Sequence, residues 1–517
     1  VMEDHPKIVR RMILSVLALL LGLAPTACSS SSSRFKPSGN PLLDVRNPEL
    51  LERDRVAAAE KAWAEVESGV RVRERTREAF KSLAWSNSTE ERVRATLIRL
   101  LMSDTSEEGA ADSLNMARLM LPTERSPEIV RLLAETGVER GWAELTPALV
   151  RSYARSSPNV PDAARSERAA IERLNPNMTV EEAVYGVFLR PSRWVSGEQQ
   201  GAVLRAEDRT RDDAWALLSR LDTSGRVRAR LIGESVPPET EPGSAADVEM
   251  LRAALRDFGA IPRTGSELAW LRRLTRNDDA DLRARNAAWW AESTAAVGGL
   301  DADQRRGFEL RHAEPVRWAA AHRPEWITKD RGALIDELSA RLDRRPRQTR
   351  DAERGQRRRS ERLEDRAEQM SWGDVLTVLV ADDALAQSGV RDGLIEQVGL
   401  DRRDESTEYG GILESADADQ FRVVLFRPRA RDRTGDDRFV ASGDMIRFSD
   451  RALAHYHLQV QKPRMSRLAG PSDGDLLYAA DSGRNCLVFT SVASDQLNVD
   501  IYMPHGVIID LGMMPIP

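Results

Sequence analysis

The spacing of apolar residues changes once along this chain, and that change constrains the fold more than any other feature. From about Asn47 to near residue 400 the apolar positions recur at helical intervals. In "TEERVRATLIRLLMSD", Val93, Leu97, Leu100 and Leu101 fall at i, i+4, i+7 and i+8, one stripe of an amphipathic helix. "SPEIVRLLAETGVERG" opens with Ser126 as N-cap and Pro127 at the first helical position. It stacks Ile129, Leu132 and Leu133, then reaches Gly137 and Gly141 as expected stops. "WAELTPALVRSYARSS" follows as a second helix, and "DADLRARNAAWWAES" repeats the plan of acidic cap, spaced arginines and small or aromatic stripe. After about residue 405 the period becomes two. "FRVVLFRP", "NCLVFTSV", "LNVDIYMP" and "GVIIDLG" are strand-like runs bounded by turn residues. Among them "SDGDLLYAADSG" reads as a helix capped by Ser472 and stopped by Gly483. The expected architecture is multidomain, an all-α region followed by an α/β domain.

Short amphipathic helices in antiparallel succession resemble HEAT-type repeats, in which each helix pair buries its face against the next. The resemblance covers residues 47–340, is interrupted by "ESVPPETEPGSAAD", and implies a solenoid-like array able to bind a protein partner. All the tryptophans lie at or before Trp372, where a helical stack uses them for packing. Residues 341–372 are dense in arginine but interleaved with Asp and Glu, which favours a linker or solvated helix over a basic binding patch. Residues 373–517 form the last domain, opening on helical sequence.

The N-terminus is read as targeting sequence. "KIVRR" precedes the twelve-residue apolar run "MILSVLALLLGL", too short to span a bilayer and suited to a signal peptide. "APTAC" and a serine tract follow. This resembles a bacterial lipoprotein signal, implying a signal peptide over 1–27, lipidation of Cys28, and a Ser-rich tether over 28–46. The implied location is the periplasmic side of the cell envelope, anchored to the membrane by lipid. The alternative is a plain secretory signal cut near Ala27, which would leave the protein secreted. With 82 acidic against 76 basic side chains, a formal net charge of -6, the chain lacks the excess positive charge of a nucleic-acid binder. Cys28 and Cys486 are its only cysteines, so a lipidated or removed Cys28 leaves no intramolecular disulfide.

Chemistry concentrates in the last domain. In "LAHYHLQVQ" the strand-like alternation puts His455 and His457 on one face, about 6.5 Å apart along the chain, close enough to share one metal ion. A polar pair on a solvated strand face is the plainer alternative. "TEYGGIL" places Glu408 before a strand start, and "GPSDGDLLYA" places Ser472 and Asp475 in S-x-x-D order at a helix start. A distant Glu, then H-x-H, then S-x-x-D is the order of the JAB/MPN (JAMM) metalloprotease domain, which residues 375–517 resemble. The resemblance implies zinc ligation by His455, His457 and Asp475, acid/base duty for Glu408, and stabilisation of the charged intermediate by Ser472.

Such a site keeps an open zinc position for water, whose pKa the metal lowers to about 7. The seventeen residues between His457 and Asp475 exceed the family's usual spacing and imply a longer loop. "GPSDG" also fits G-x-S-x-G, but "QKPRMSRLA" before it is a poor strand and His505 is the only later histidine, in a surface-like context. No GxxxxGK[ST], H-E-x-x-H or repeated CxxC occurs. The expectation is an extracytoplasmic zinc-dependent hydrolase of peptide or isopeptide bonds, its helical region presenting substrates or partners. The alternative is a non-catalytic HEAT-like scaffold lipoprotein with an inactive JAMM-fold domain.

Overall fold

A computed structural model describes residues 36–156, 160–191, 200–348, 360–416, 420–433, 435, 439–462 and 466–516. The expected signal peptide and Cys28 lie outside the described residues. The chain divides into two compact units, Val1–Leu145 and Thr146–Pro517. Among the described residues no helix is long and apolar enough to cross a membrane.

The first unit is helical, with Pro41–Arg46, Glu52–Glu67, Arg73–Trp85, Glu91–Met102, Glu107–Met120 and Pro127–Glu139 in order. Val93, Leu97 and Leu101 are fully buried, as their stripe requires. Trp63 stacks on Phe80 with ring centroids 5.9 Å apart. Ser126 caps its helix by accepting from the Ile129 N–H, and Pro127 stands at its start. Gly137 is not the stop that the sequence suggests. It lies inside the helix, where an added Cβ would sit 2.6 Å from Leu145 Cδ1. The chain leaves the helix just past Glu139, and Gly141 takes the left-handed conformation at φ 66°.

The second unit carries helices and one six-stranded mixed sheet. The helices between Thr146 and Leu342, assigned from the sequence to the repeat array, lie in the same compact unit as the sheet. Helices of the second unit that pack on or beside the sheet include α1 (Gly265–Thr275), α2 (Ala313–His322), α3 (Trp372–Ala386), α4 (Ser388–Asp401) and α5 (Asp473–Ser482). The strands are β1 (Gly410–Ser415), β2 (Phe421–Leu425), β3 (Ala452–Gln459), β4 (Cys486–Ala493), β5 (Gln496–Tyr502) and β6 (Ile508–Pro515), in the order β2-β1-β3-β4-β5-β6. Every neighbouring pair is antiparallel except β3–β4. A parallel pair needs a crossover, and α5 supplies it.

The sheet is covered on both faces. On one, α5 packs Ala479 against Cys486, Val488, Tyr502 and Ile508. On the other, Tyr456 is buried against Phe489 and Gln397 of α4. The double glycine opening β1 follows from crowding: a Cβ on Gly411 would come 2.0 Å from Val424 O and 2.7 Å from Tyr456 Oη. The helical layer is bonded directly to the sheet. Trp270 of α1 donates its indole N–H to Asp450 O at 2.7 Å, and the Arg484 guanidinium lies 4.1 Å above the Trp270 ring. The described arginines 341 and 345 pair with Asp382 and Asp383, and Met513 N donates to Pro346 O at the outer edge of β6. Backbone covering of this kind protects an edge strand from foreign pairing.

A buried polar node lies between α2, α3 and β4. His312 Nδ1 accepts from Glu309 N at 3.0 Å, so the proton sits on Nε2, 3.0 Å from Asp374 Oδ1. Burial, reinforced by Arg311, holds the His312 pKa below its usual value, against the pull of Asp374 and Glu309. As pH falls, the unfolded chain therefore protonates first and stability declines from about pH 6.5, by at most ~1.4 kcal/mol per pH unit for one proton. Asp374 is held well below the carboxylate range despite its burial, chiefly by Arg311 and then His312, and adds a loss of the same sign only at lower pH. Urea midpoints between pH 5 and 7 are expected to show a flatter slope in His312→Gln than in wild type. Equal slopes would remove His312 from the account.

Candidate functional site

Strand register builds the site. In the β1–β3 ladder Gly410 pairs with His457 and Ile412 with His455, so these side chains share one face of the sheet. The ladder extends past the strand end, where Leu458 N donates to Tyr409 O at 2.8 Å. Glu408, two residues before Gly410, therefore projects to the same side as both histidines. On β4, His455 pairs with Cys486 and His457 with Val488, two of the residues over which α5 lies.

The N-terminus of α5 brings the other two residues. Ser472 and Asp475 form a reciprocal cap: Ser472 Oγ accepts from Asp475 N at 3.2 Å. In return Asp475 Oδ2 accepts from Ser472 N at 2.7 Å and from Ser472 Oγ at 2.8 Å. This fixes the carboxylate so that Oδ1 lies 3.6 Å from His457 Nε2. The His457 ring is stacked on Phe439 at 5.5 Å, and its Nε2 is 3.4 Å from Gln459 Nε2.

His455 is held differently. Its Nδ1 is 2.8 Å from Tyr478 Oη, and its buried Nε2 has no hydrogen-bond partner among the described residues. Burial drives its pKa well below the usual value, with Arg484 and Arg273 adding to the shift, so the imidazole is neutral. Burial likewise raises the Tyr478 phenol, which stays protonated. A neutral imidazole with one nitrogen tied to a hydroxyl and the other bare has the arrangement of a metal-ligating histidine.

Glu408, His455, His457, Ser472 and Asp475 all line one cavity of about 580 Å³. Glu408 is only 3% exposed, part of the cavity wall rather than of the surface. The donors of His455, His457 and Asp475 are not gathered as one compact cluster. Among the described residues the group whose donor atoms all lie within 4.8 Å of one another is Glu361, Asp500 and Asp510. Tyr478 and Phe439, which position the two histidines, escaped the sequence reading. Tyr478 had a usable signal, since it lies three residues after Asp475 and so on the same helix face; Phe439 had none. His505 is exposed but not idle: its Nε2 lies 3.7 Å from Asp374 Oδ2.

No family model matches this chain, and neither a curated protein nor a solved structure matches it.

Proposed function

We propose that this protein is an extracytoplasmic zinc-dependent hydrolase of peptide or isopeptide bonds, of JAMM-like type, with helices that present substrate or partner. The observation that carries the reading is the convergence of Glu408, His455, His457, Ser472 and Asp475 on one cavity wall from three separate chain segments. His455 through its bare Nε2, His457, and Asp475 through Oδ1 would hold the ion. Two neutral imidazoles and one carboxylate suit zinc and leave a coordination position open. Bound zinc supplies an acidified water at neutral pH.

The chain's own residues do the rest. Glu408, outside the ligand set, takes a proton on its carboxylate and returns it to the leaving nitrogen. The Ser472 hydroxyl, now donating to Asp475, lies beside the α5 N-terminus, where developing negative charge is favoured. In the same reading the protein is tethered to the bacterial envelope through a lipid on Cys28.

One observation favours a second reading, a scaffold whose last domain is inactive: the three ligand side chains are not drawn into one tight cluster. Metal analysis separates the possibilities. The full chain, loaded with Zn²⁺ and dialysed, is expected to retain about one zinc that His457→Ala loses without loss of secondary structure. A wild-type chain that keeps no zinc defeats the hydrolase. Zinc retained without turnover on any peptide library favours the scaffold.

A further inference from the structure

We propose that Glu361, Asp500 and Asp510 form a second metal site, built for calcium and separate from the histidine cavity. Asp500 of β5 pairs directly with Asp510 of β6, which places two carboxylates on one face of the sheet. Glu361 joins them because Asp510 N donates to Glu361 O at 2.9 Å. The donor atoms of the three lie within 4.8 Å of one another, and the side chains are buried, Asp500 completely.

Three carboxylates in such a place repel one another and have lost their water. The hydrogen bonding does not compensate. Asp500 Oδ2 accepts from Asn498 Nδ2 at 2.8 Å, and Asp510 Oδ1 accepts from Gly512 N at 2.7 Å. Asp500 Oδ1 and Asp510 Oδ2, both buried, have no hydrogen-bond partner among the described residues. Each aspartate thus keeps one buried oxygen without a hydrogen bond among the described residues, although Asn498 and Gln348 N also act on Asp510.

The wall opposite is cut back to backbone. Gly470, at φ 87°, stands where a Cβ would meet Glu361 Oε1 at 2.9 Å and approach Asp500 Oδ2 to 3.6 Å. Arg347 supplies one positive charge near Asp510, against three carboxylates. The donor set is all oxygen, with no imidazole or thiolate, which selects a hard cation over zinc. Three carboxylates around one ion match the high ligand charge of calcium sites, whereas magnesium keeps most of its water.

The placement gives the ion a structural task. It would fasten Glu361, beyond the arginine-rich segment, to β5 and β6. Gly470, two residues before the Ser472 cap, lies against the same cluster, so the ion would also steady the approach to α5. The competing way to relieve the repulsion is protonation. Burial, with the neighbouring Asp510 and Glu361, pushes Asp500 well up from the carboxylate range, and burial pushes Asp510 up to about 6 against the pull of Gly512 N and Arg347.

Calorimetric titration of the full, chelator-stripped chain with Ca²⁺, Mg²⁺ and Mn²⁺ separately tests the site, together with thermal midpoints in Ca²⁺ and in EGTA. One Ca²⁺ per chain and a midpoint several degrees higher in Ca²⁺ are expected. D500N/D510N, isosteric and relieved of buried charge, is expected to fold, to keep zinc at the histidines, and to bind Ca²⁺ at least about tenfold more weakly. Absence of Ca²⁺ binding in wild type, or unaltered binding in the double variant, overturns the proposal and leaves protons as the neutralising agent. Tighter Mg²⁺ than Ca²⁺ binding at these residues overturns the calcium assignment.

Discussion

Glu408→Gln is expected to lower the rate of peptide or isopeptide hydrolysis by about 10²–10⁴-fold, the usual contribution of a positioned acid/base. Zinc content and thermal midpoint should stay at wild-type values. The expectation follows from where Glu408 stands. It is buried just before β1, on the face carrying His455 and His457, and lines their cavity without belonging to the proposed ligand set. Gln keeps the size and most of the hydrogen bonding of Glu but takes up no proton at neutral pH. Loss of turnover with one zinc retained therefore isolates proton transfer from metal binding. Steady-state rates on a substrate cut by wild type, measured beside metal content on the same samples, decide it. A variant as active as wild type removes Glu408 from the chemistry, and one that loses zinc makes it a metal ligand instead.

What could be read from the sequence, and what could not, divides by range. Period-two alternation around "AHYH" places both histidines on one face of β3, and the S-x-x-D spacing gives the cap of α5; both are local geometry, and both are present. Strand pairing is not local. That Gly410 meets His457, which brings Glu408 to the same side, depends on a register that the sequence leaves open. The Tyr478 contact to His455 depends on how α5 docks on the sheet. Gly137 misled because a glycine suits both a helix end and a close helix contact, and Leu145 decides for the contact. The acidic cluster joins Glu361 to residues well over a hundred positions later. Its one local trace is an Asp in the middle of each of two apolar strand runs, "LNVDIYMP" and "GVIIDLG". An acid there is either satisfied by a partner from afar or held for a ligand.

The largest effect on stability is expected at Arg311. Its side chain is buried in the node that ties the helical layer to the sheet. Nη2 lies 2.5 Å from Asp374 Oδ1, Nε is 2.6 Å from Glu309 Oε2, and Nη1 donates to Asn485 Oδ1 at 2.6 Å. Removing one partner of a buried ion pair costs about 3–5 kcal/mol, because the remaining charge has neither water nor counterion. Arg311→Ala strands Asp374 in this way, while Glu309 keeps its ion pair with Arg263, so urea unfolding at pH 7 should show a loss within that range. Adding Asp374→Asn to the same chain should recover part of it, since the stranded charge is then gone. The consequence reaches the histidine cavity as well. Asn485 accepts from the backbone N–H of His455 at 2.9 Å and donates from its side chain to Leu453 O, so Arg311 steadies the segment that aims His455. Arg311→Ala should therefore bind zinc more weakly even where it remains folded, whereas a cost below about 1 kcal/mol would mean that the node carries little of the join between helices and sheet.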